Sequence, residues 1–421
     1  MEILSTGQKI KRARIYKGIT LKELCKDSIS ISKMSCIENE KIKPDEKIIR
    51  YIADIIDIDY DYLIQDVYEQ IENNSNQYKK QENFNDQIIN EINENISCAI
   101  EYEYYDLAFE LYHLIYKDYI KYLKLDECDA IIQNYYSVFR KVKTRENVIV
   151  YYYDMASYLY WREEYLQASV YYNRLIENLF YVDETYKNDY RMSEFNMGVC
   201  YYKANEISKA YDVLKKLVES EKDTNELEIK KVIYKYFALS CIKLSSSKQN
   251  EYIMIYENIK CKRVKNGPAN DKVMFAEAYF YVKNDEKAIR YIKEAIGEFD
   301  KDDIKSYVLF LSTCIELLVD NKKYDYAIEL AEENLNNAIY VDDIKLIEKA
   351  YYLKGRVLQS LGKYEEADRC MNLSLDSLFK FGSKKERYNR HLQMGLMYYK
   401  LGQTKDAIKY FNYALKLKKK L

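Results

Sequence analysis

The sequence predicts an all-α protein: a compact head of five short helices, followed by a long array of antiparallel helical pairs. Three observations carry this expectation. Only 2 Pro and 10 Gly occur in 421 residues, so helix-breaking punctuation is scarce. Helix-capping residues recur at short intervals through residues 1–65. Farther along, pairs of small residues recur with an internal spacing of 12.

The head is taken first. Ile10, Ala13 and Arg14 share one face of a first helix, and Gly18 stops it as a C′ residue. Thr20 with Glu23 forms a capping box for a second helix, whose inward stripe is Leu21, Leu24 and Cys25. Ser30 caps a third helix with Met34 and Ile37 inward, leaving Ile31, Ser32, Lys33 and Cys36 outward. Pro44 precedes a fourth helix marked by Ile48, Ile49, Ile52 and Ile55, and a fifth turn ends at Leu63. Residues 66–95 are rich in Asn, Gln and Glu and poor in apolar residues, which predicts a polar linker or connecting helix.

Residues 96–421 then read as about eight helical pairs. The spaced small residues are Ala156/Ala168, Gly198/Ala210, Ala276/Ala288, Gly355/Ala367 and Gly395/Ala407. The first members lie 42, 78, 79 and 40 residues apart, a period near 40 with degenerate copies at Ala238 and at Ile315 with Ala327. Small residues are required where two antiparallel helices cross closely. The 48 Tyr fall largely at helical spacing beside Leu and Ile, as half-buried packing residues with wet hydroxyls.

Composition narrows the function. Nine Cys contain no C-x-x-C pair, and the two His, His113 and His391, are far apart, so neither a zinc site nor a disulfide framework is expected. No metal or other cofactor is expected. The opening residues carry no apolar leader and no stretch reaches the length of a membrane span, which predicts a cytoplasmic protein that does not enter the membrane. With no Gly-rich phosphate loop and no Cys/His or Ser/His arrangement, an enzyme is not expected. Net charge is −2 but uneven: residues 1–50 carry 12 Lys/Arg against 7 Asp/Glu, and residues 51–126 carry 5 against 17. A basic head followed by an acidic segment points the head at a polyanion.

The head resembles the helix-turn-helix domain of the phage-repressor and xenobiotic-response-element family. The resemblance lies in Arg14, Gly18 and the run Ile37-Glu38-Asn39, with Glu40 where that family has Gly. It implies an Arg14–Glu38 ion pair and a recognition helix whose Ser30, Ile31, Ser32, Lys33 and Cys36 approach double-stranded DNA. Lys41 and Lys43 after the helix suit phosphate contacts. No Gln, Asn or Arg stands on the outward face for bidentate base readout, so shape and apolar contact from Ile31 carry more of the expected selectivity.

The array resembles the tetratricopeptide repeat, which implies a right-handed superhelix with its first helices lining a groove. On that implication the groove takes Asp154, Asn196 and Gln393 two residues before the small positions. Arg356 follows one position after, and Tyr160, Tyr202 and Phe280 four positions after. An Asn amide donates to and accepts from one peptide unit, so Asn196 is the leading candidate. Head and array together resemble the RRNPP family of regulators. That resemblance implies a quorum-sensing transcriptional regulator that binds promoter DNA and a short secreted, re-imported signalling peptide. It also implies a homodimer and control of sporulation, toxin or protease genes. The alternative implied by the same family is a Rap-like modulator that binds a phosphorelay response regulator.

Overall fold

The computed structural model describes residues 3–26, 28–179, 187–220, 226–260 and 265–418. Among the described residues there are twenty-three α-helices and no strand. They fall into two compact units, residues 1–217 and 218–421.

In the first unit the head comprises α1 (Thr6–Tyr16), α2 (Leu21–Cys25), α3 (Ile31–Glu38), α4 (Glu46–Ile56) and α5 (Tyr60–Ile64). The expected caps are in place: Thr20 and Glu23 close a capping box on α2, and the Ser30 hydroxyl accepts the Lys33 amide. Gly18 turns the chain at φ 67° after α1. Ile10, Leu24, Met34, Ile37, Ile52, Ile56 and Leu63 are buried in one core. Gly7 sits where α1 meets the end of α3, and a Cβ there would lie 2.3 Å from the Ile37 carbonyl oxygen. Only glycine permits that approach.

Of the two expectations for residues 66–95, linker or connecting helix, the structure holds helix, and part of it is buried. These residues hold α6 (Val67–Tyr78) and the first part of α7 (Asp86–Glu101). Val67, Ile71, Ile89 and Ile92 are buried in the same core as the following helices. The polar composition hides this hairpin because part of its interior is itself polar: buried Asn74 donates to the Asn95 side chain at 2.9 Å. The head is tied to it directly, since the Gln70 amide accepts the Leu4 N–H at 3.2 Å and donates to the Leu4 carbonyl at 2.8 Å. Lys9, buried in α1, donates to the Tyr62 and Gln65 carbonyls at 2.6 and 2.7 Å, capping the end of α5.

The remaining helices of this unit are α8 (Tyr105–Lys121), α9 (Leu125–Phe139), α10 (Arg145–Trp161), α11 (Tyr165–Leu179), α12 (Lys187–Lys203) and α13 (Ile207–Ser220). The second unit holds α14 (Leu227–Lys243), α15 (Gln249–Asn258), α16 (Gly267–Tyr281), α17 (Asp285–Glu298), α18 (Ile304–Asp320) and α19 (Tyr324–Val341). It continues through α20 (Ile344–Ser360), α21 (Tyr364–Phe381), α22 (Lys384–Lys400) and α23 (Thr404–Lys418). Each spaced pair of small residues joins two consecutive helices, beginning with α10 and α11, and all ten are buried. A Cβ on Gly198 would stand 3.0 Å from the Leu214 side chain, and one on Gly395 would stand 2.7 Å from the Phe411 ring. The degenerate copies are helical too: Ala238 is buried in α14, and Ile315 and Ala327 are buried in α18 and α19.

Candidate functional site

The head presents α3 to solvent. Its inner side is anchored by Met34 and Ile37, and its end by a buried ion pair across the core: Arg14 Nε and Nη2 donate to the two Glu38 carboxylate oxygens at 2.6 and 2.9 Å. Arg14 Nη1 also donates to the Ile19 carbonyl at 2.9 Å, tying α1, α3 and the turn before α2 together. The Glu38 hydrogen bond raises the Arg14 pKa further. Such a bidentate clamp fixes orientation more than it adds stability.

On the outer side, Ser30, Ile31, Ser32, Lys33, Lys41 and Lys43 are exposed, and Cys36 is half-buried. The Lys33 ammonium lies 3.9 Å from an Asp45 carboxylate oxygen, both exposed. That contact is weak enough for a phosphate to displace. Glu40 takes the left-handed conformation at φ 60°, and its carboxylate accepts from the Ser5 hydroxyl. The turn is thus closed by a side chain that a glycine lacks. Ile42 also stands exposed beside Lys41 and Lys43, and sequence reading did not single it out.

The groove candidates divide between the units. In the first, the buried Asp154 carboxylate accepts from the Tyr135 hydroxyl at 2.8 Å and lies 2.8 Å from His113 Nδ1. Burial, then Asp154 itself, pushes the Tyr135 pKa well above its ordinary value, so that hydroxyl stays a donor. Asp154 is therefore committed to its own helices. Tyr160 is half-buried between Trp161 and Tyr165, edge-to-face with each at 5.4 and 5.5 Å. Asn196 is partly exposed on α12. Tyr202 is buried.

In the second unit Phe280 is core, 2 % exposed. Arg356 is partly exposed, with Nη2 3.5 Å from Asp320. Gln393 Nε2 donates to the Tyr352 hydroxyl at 2.8 Å, and the Arg390 guanidinium lies 3.4 Å over the same ring. Arg390 also donates to buried Glu348, which accepts from Ser374 at 2.7 Å. The His113–Asp154–Tyr135 and Glu348–Arg390–Tyr352 groupings were not foreseen. Each joins residues on different helices, and the sequence carries no local signal for either.

Asp154, Tyr202 and Phe280 thus belong to the interior, whereas Asn196, Arg356, Gln393 and part of Tyr160 remain accessible. No cluster of metal-ligating side chains is found among the described residues, and no helix there is long and apolar enough to cross a membrane.

Tetratricopeptide-repeat family profiles match residues 193–224, 348–377 and 388–421. No curated protein matches the chain. Similar solved structures include a Rap protein complexed with competence and sporulation factor, at 14 % identity and TM-score 0.45, covering 84 % of this chain and 98 % of that one. Another is the apo quorum sensor NprR from B. thuringiensis, at 11 % identity and TM-score 0.45, covering 84 % and 99 %. A third is Bacillus thuringiensis PlcR in complex with the peptide PapR7 and DNA, at 12 % identity and TM-score 0.24, covering 89 % and 94 %. Among its described residues the chain is all-helical, and it carries tetratricopeptide repeats over the matched segments.

Proposed function

We propose that the chain is a cytoplasmic, peptide-responsive transcriptional regulator of the RRNPP type and not an enzyme. Its head holds double-stranded promoter DNA. Its repeats hold a short secreted and re-imported peptide. Genes of sporulation, toxin or protease production are the expected targets. The observation that carries the reading is α3: a capped helix, clamped from behind by Arg14 and Glu38, whose outer face and following turn expose Lys33, Lys41 and Lys43.

The test is chromatin capture of the tagged full chain, with and without candidate peptides. Discrete promoter peaks that change with one peptide support the reading, and a profile equal to that of a chain lacking residues 1–65 defeats it. Asn196 is the proposed peptide holder, and Asn196→Ala should cost about 1–3 kcal/mol of peptide affinity by calorimetry. A gel shift of the same variant should show DNA binding intact. Unchanged peptide affinity would move the ligand elsewhere, and joint loss of DNA binding would make Asn196 a structural residue.

A second reading, a modulator of a response regulator, draws on residues 66–95 being a folded hairpin rather than a linker, in the acidic stretch 51–126. Faster loss of phosphate from a response regulator in the presence of the chain would favour it.

A further inference from the structure

Away from the groove candidates, the first unit has an open cleft of about 400 Å³ where the end of α9, the start of α10 and the later part of α11 converge. Its wall is aromatic, made of Tyr136, Phe139, Tyr151, Tyr152 and Tyr171, with the Gln133 amide at one side. Lys143 and Arg174 complete the lining, and no carboxylate contributes to it. Both cations are exposed, and neither has an ion-pair partner among the described residues. This is unlike Lys79, Arg162 and Lys235 of the same chain, which lie within 4 Å of Glu110, Asp129 and Asp271. Lys143 belongs to the run Arg140, Lys141, Lys143 and Arg145, four cations in six residues joining α9 to α10. Glu146 and Glu177, the carboxylates nearby in sequence, are not among the lining residues.

We propose that this cleft is a docking site for a partner protein, taking an acidic segment that carries one large apolar side chain. The argument is charge complementarity joined to shape. Two cations that lie over the cleft's own Phe139 and Tyr171 rings but have no carboxylate partner favour a carboxylate from outside, and the surrounding rings reward an apolar side chain with desolvated contact. The rings themselves argue against nucleic acid. Stacking a base requires a free ring face, and Phe139 and Tyr151 already stack on each other at a centroid distance of 4.1 Å. Tyr136, 46 % exposed, is itself tilted against Phe139 and Tyr151. The site is separate from α3 and from Asn196, so the proposal stands or falls independently of the regulator reading.

The experiment is calorimetry of the full chain with an acetylated, amidated peptide of sequence Asp-Glu-Phe-Asp-Glu. Three comparison ligands accompany it: the same peptide with Ala for Phe, its Asn/Gln counterpart without charge, and a ten-nucleotide oligothymidine. The acidic peptide should bind and weaken with salt, each altered peptide should lose at least tenfold, and Lys143→Glu with Arg174→Glu should lose at least tenfold again. Circular dichroism and DNA binding of that variant should match the parent chain. Equal binding of the uncharged peptide, or an unaffected double variant, overturns the proposal. So does oligothymidine binding that the double variant abolishes, which would give the cleft to nucleic acid.

Discussion

Single side chains decide how the head works. Lys33 is the one cation on the outward face of α3 itself, so replacing it tests whether that face meets DNA. If it contacts a phosphate, Lys33→Ala should weaken promoter binding and lower the salt slope by about 1. A fluorescence-anisotropy titration over a salt series reads both quantities, and an unchanged slope would remove α3 as the reader. Lys9 is the opposite case, a buried cation that serves the fold. Burial, opposed by Glu69 and Asp66, lowers its pKa from 10.5 to about 8. Between those two values the unfolded chain binds the proton and the folded chain does not, so this residue makes stability rise with pH across that window. Below pH 8 both states are protonated and the contribution is at its least favourable. Thermal melts should therefore show the parent chain gaining on Lys9→Met between pH 8 and 10. A constant gap would mean that Lys9 does not titrate there.

At the scale of elements, one turn is used again and again. The residue between paired helices is left-handed at Leu123, Glu163, Asn205, Ser245, Lys283 and Lys322 as well as at Gly362 and Gly402. Only the last two announce it in sequence, which is why the glycine pattern shows the repeat toward the end of the chain and conceals it earlier. Leu123 holds φ 54° with its side chain 53 % exposed, so packing offsets little of the left-handed cost. Leu123→Gly should stabilise the chain by about 0.5–1 kcal/mol, the relief of strain exceeding the entropy that glycine adds to the unfolded state. Chemical denaturation checks this, and a lower midpoint would show the turn to be unstrained. The same geometry explains what could be read in advance. Caps and spaced small residues are local signals, and the structure keeps them at Thr20, Ser30, Ala156 and Ala168. Groove residues are not local. A position four beyond the small residue lies only about 40° around the helix from it, and so shares its buried side. Tyr202 and Phe280 fall there and are core.

For the whole molecule, the proposed operator binding asks more than one head of this size supplies. Five helices over some 60 residues expose α3, the one short helix proposed to meet DNA, and single modules of that kind bury little DNA. Affinity and selectivity together then require two heads on half-sites one helical turn apart, about 34 Å. The link between head and repeats makes such a spacing enforceable. Gln70 holds both the N–H and the carbonyl of Leu4, so each head is fixed on its own first hairpin. We therefore expect a homodimer joined through repeat helices. Light scattering at micromolar concentration should give twice the 50.5 kDa chain mass when free, and that mass plus the duplex on DNA. A monomer in both states would remove the dimer. A monomer that pairs only on DNA would place the contact in the heads instead. Gln70→Ala separates the two roles: it should leave the dimer mass unchanged while relaxing the preference for one half-site spacing in a gel-shift series. An unaltered spacing preference would mean that the hairpin does not set the position of the head.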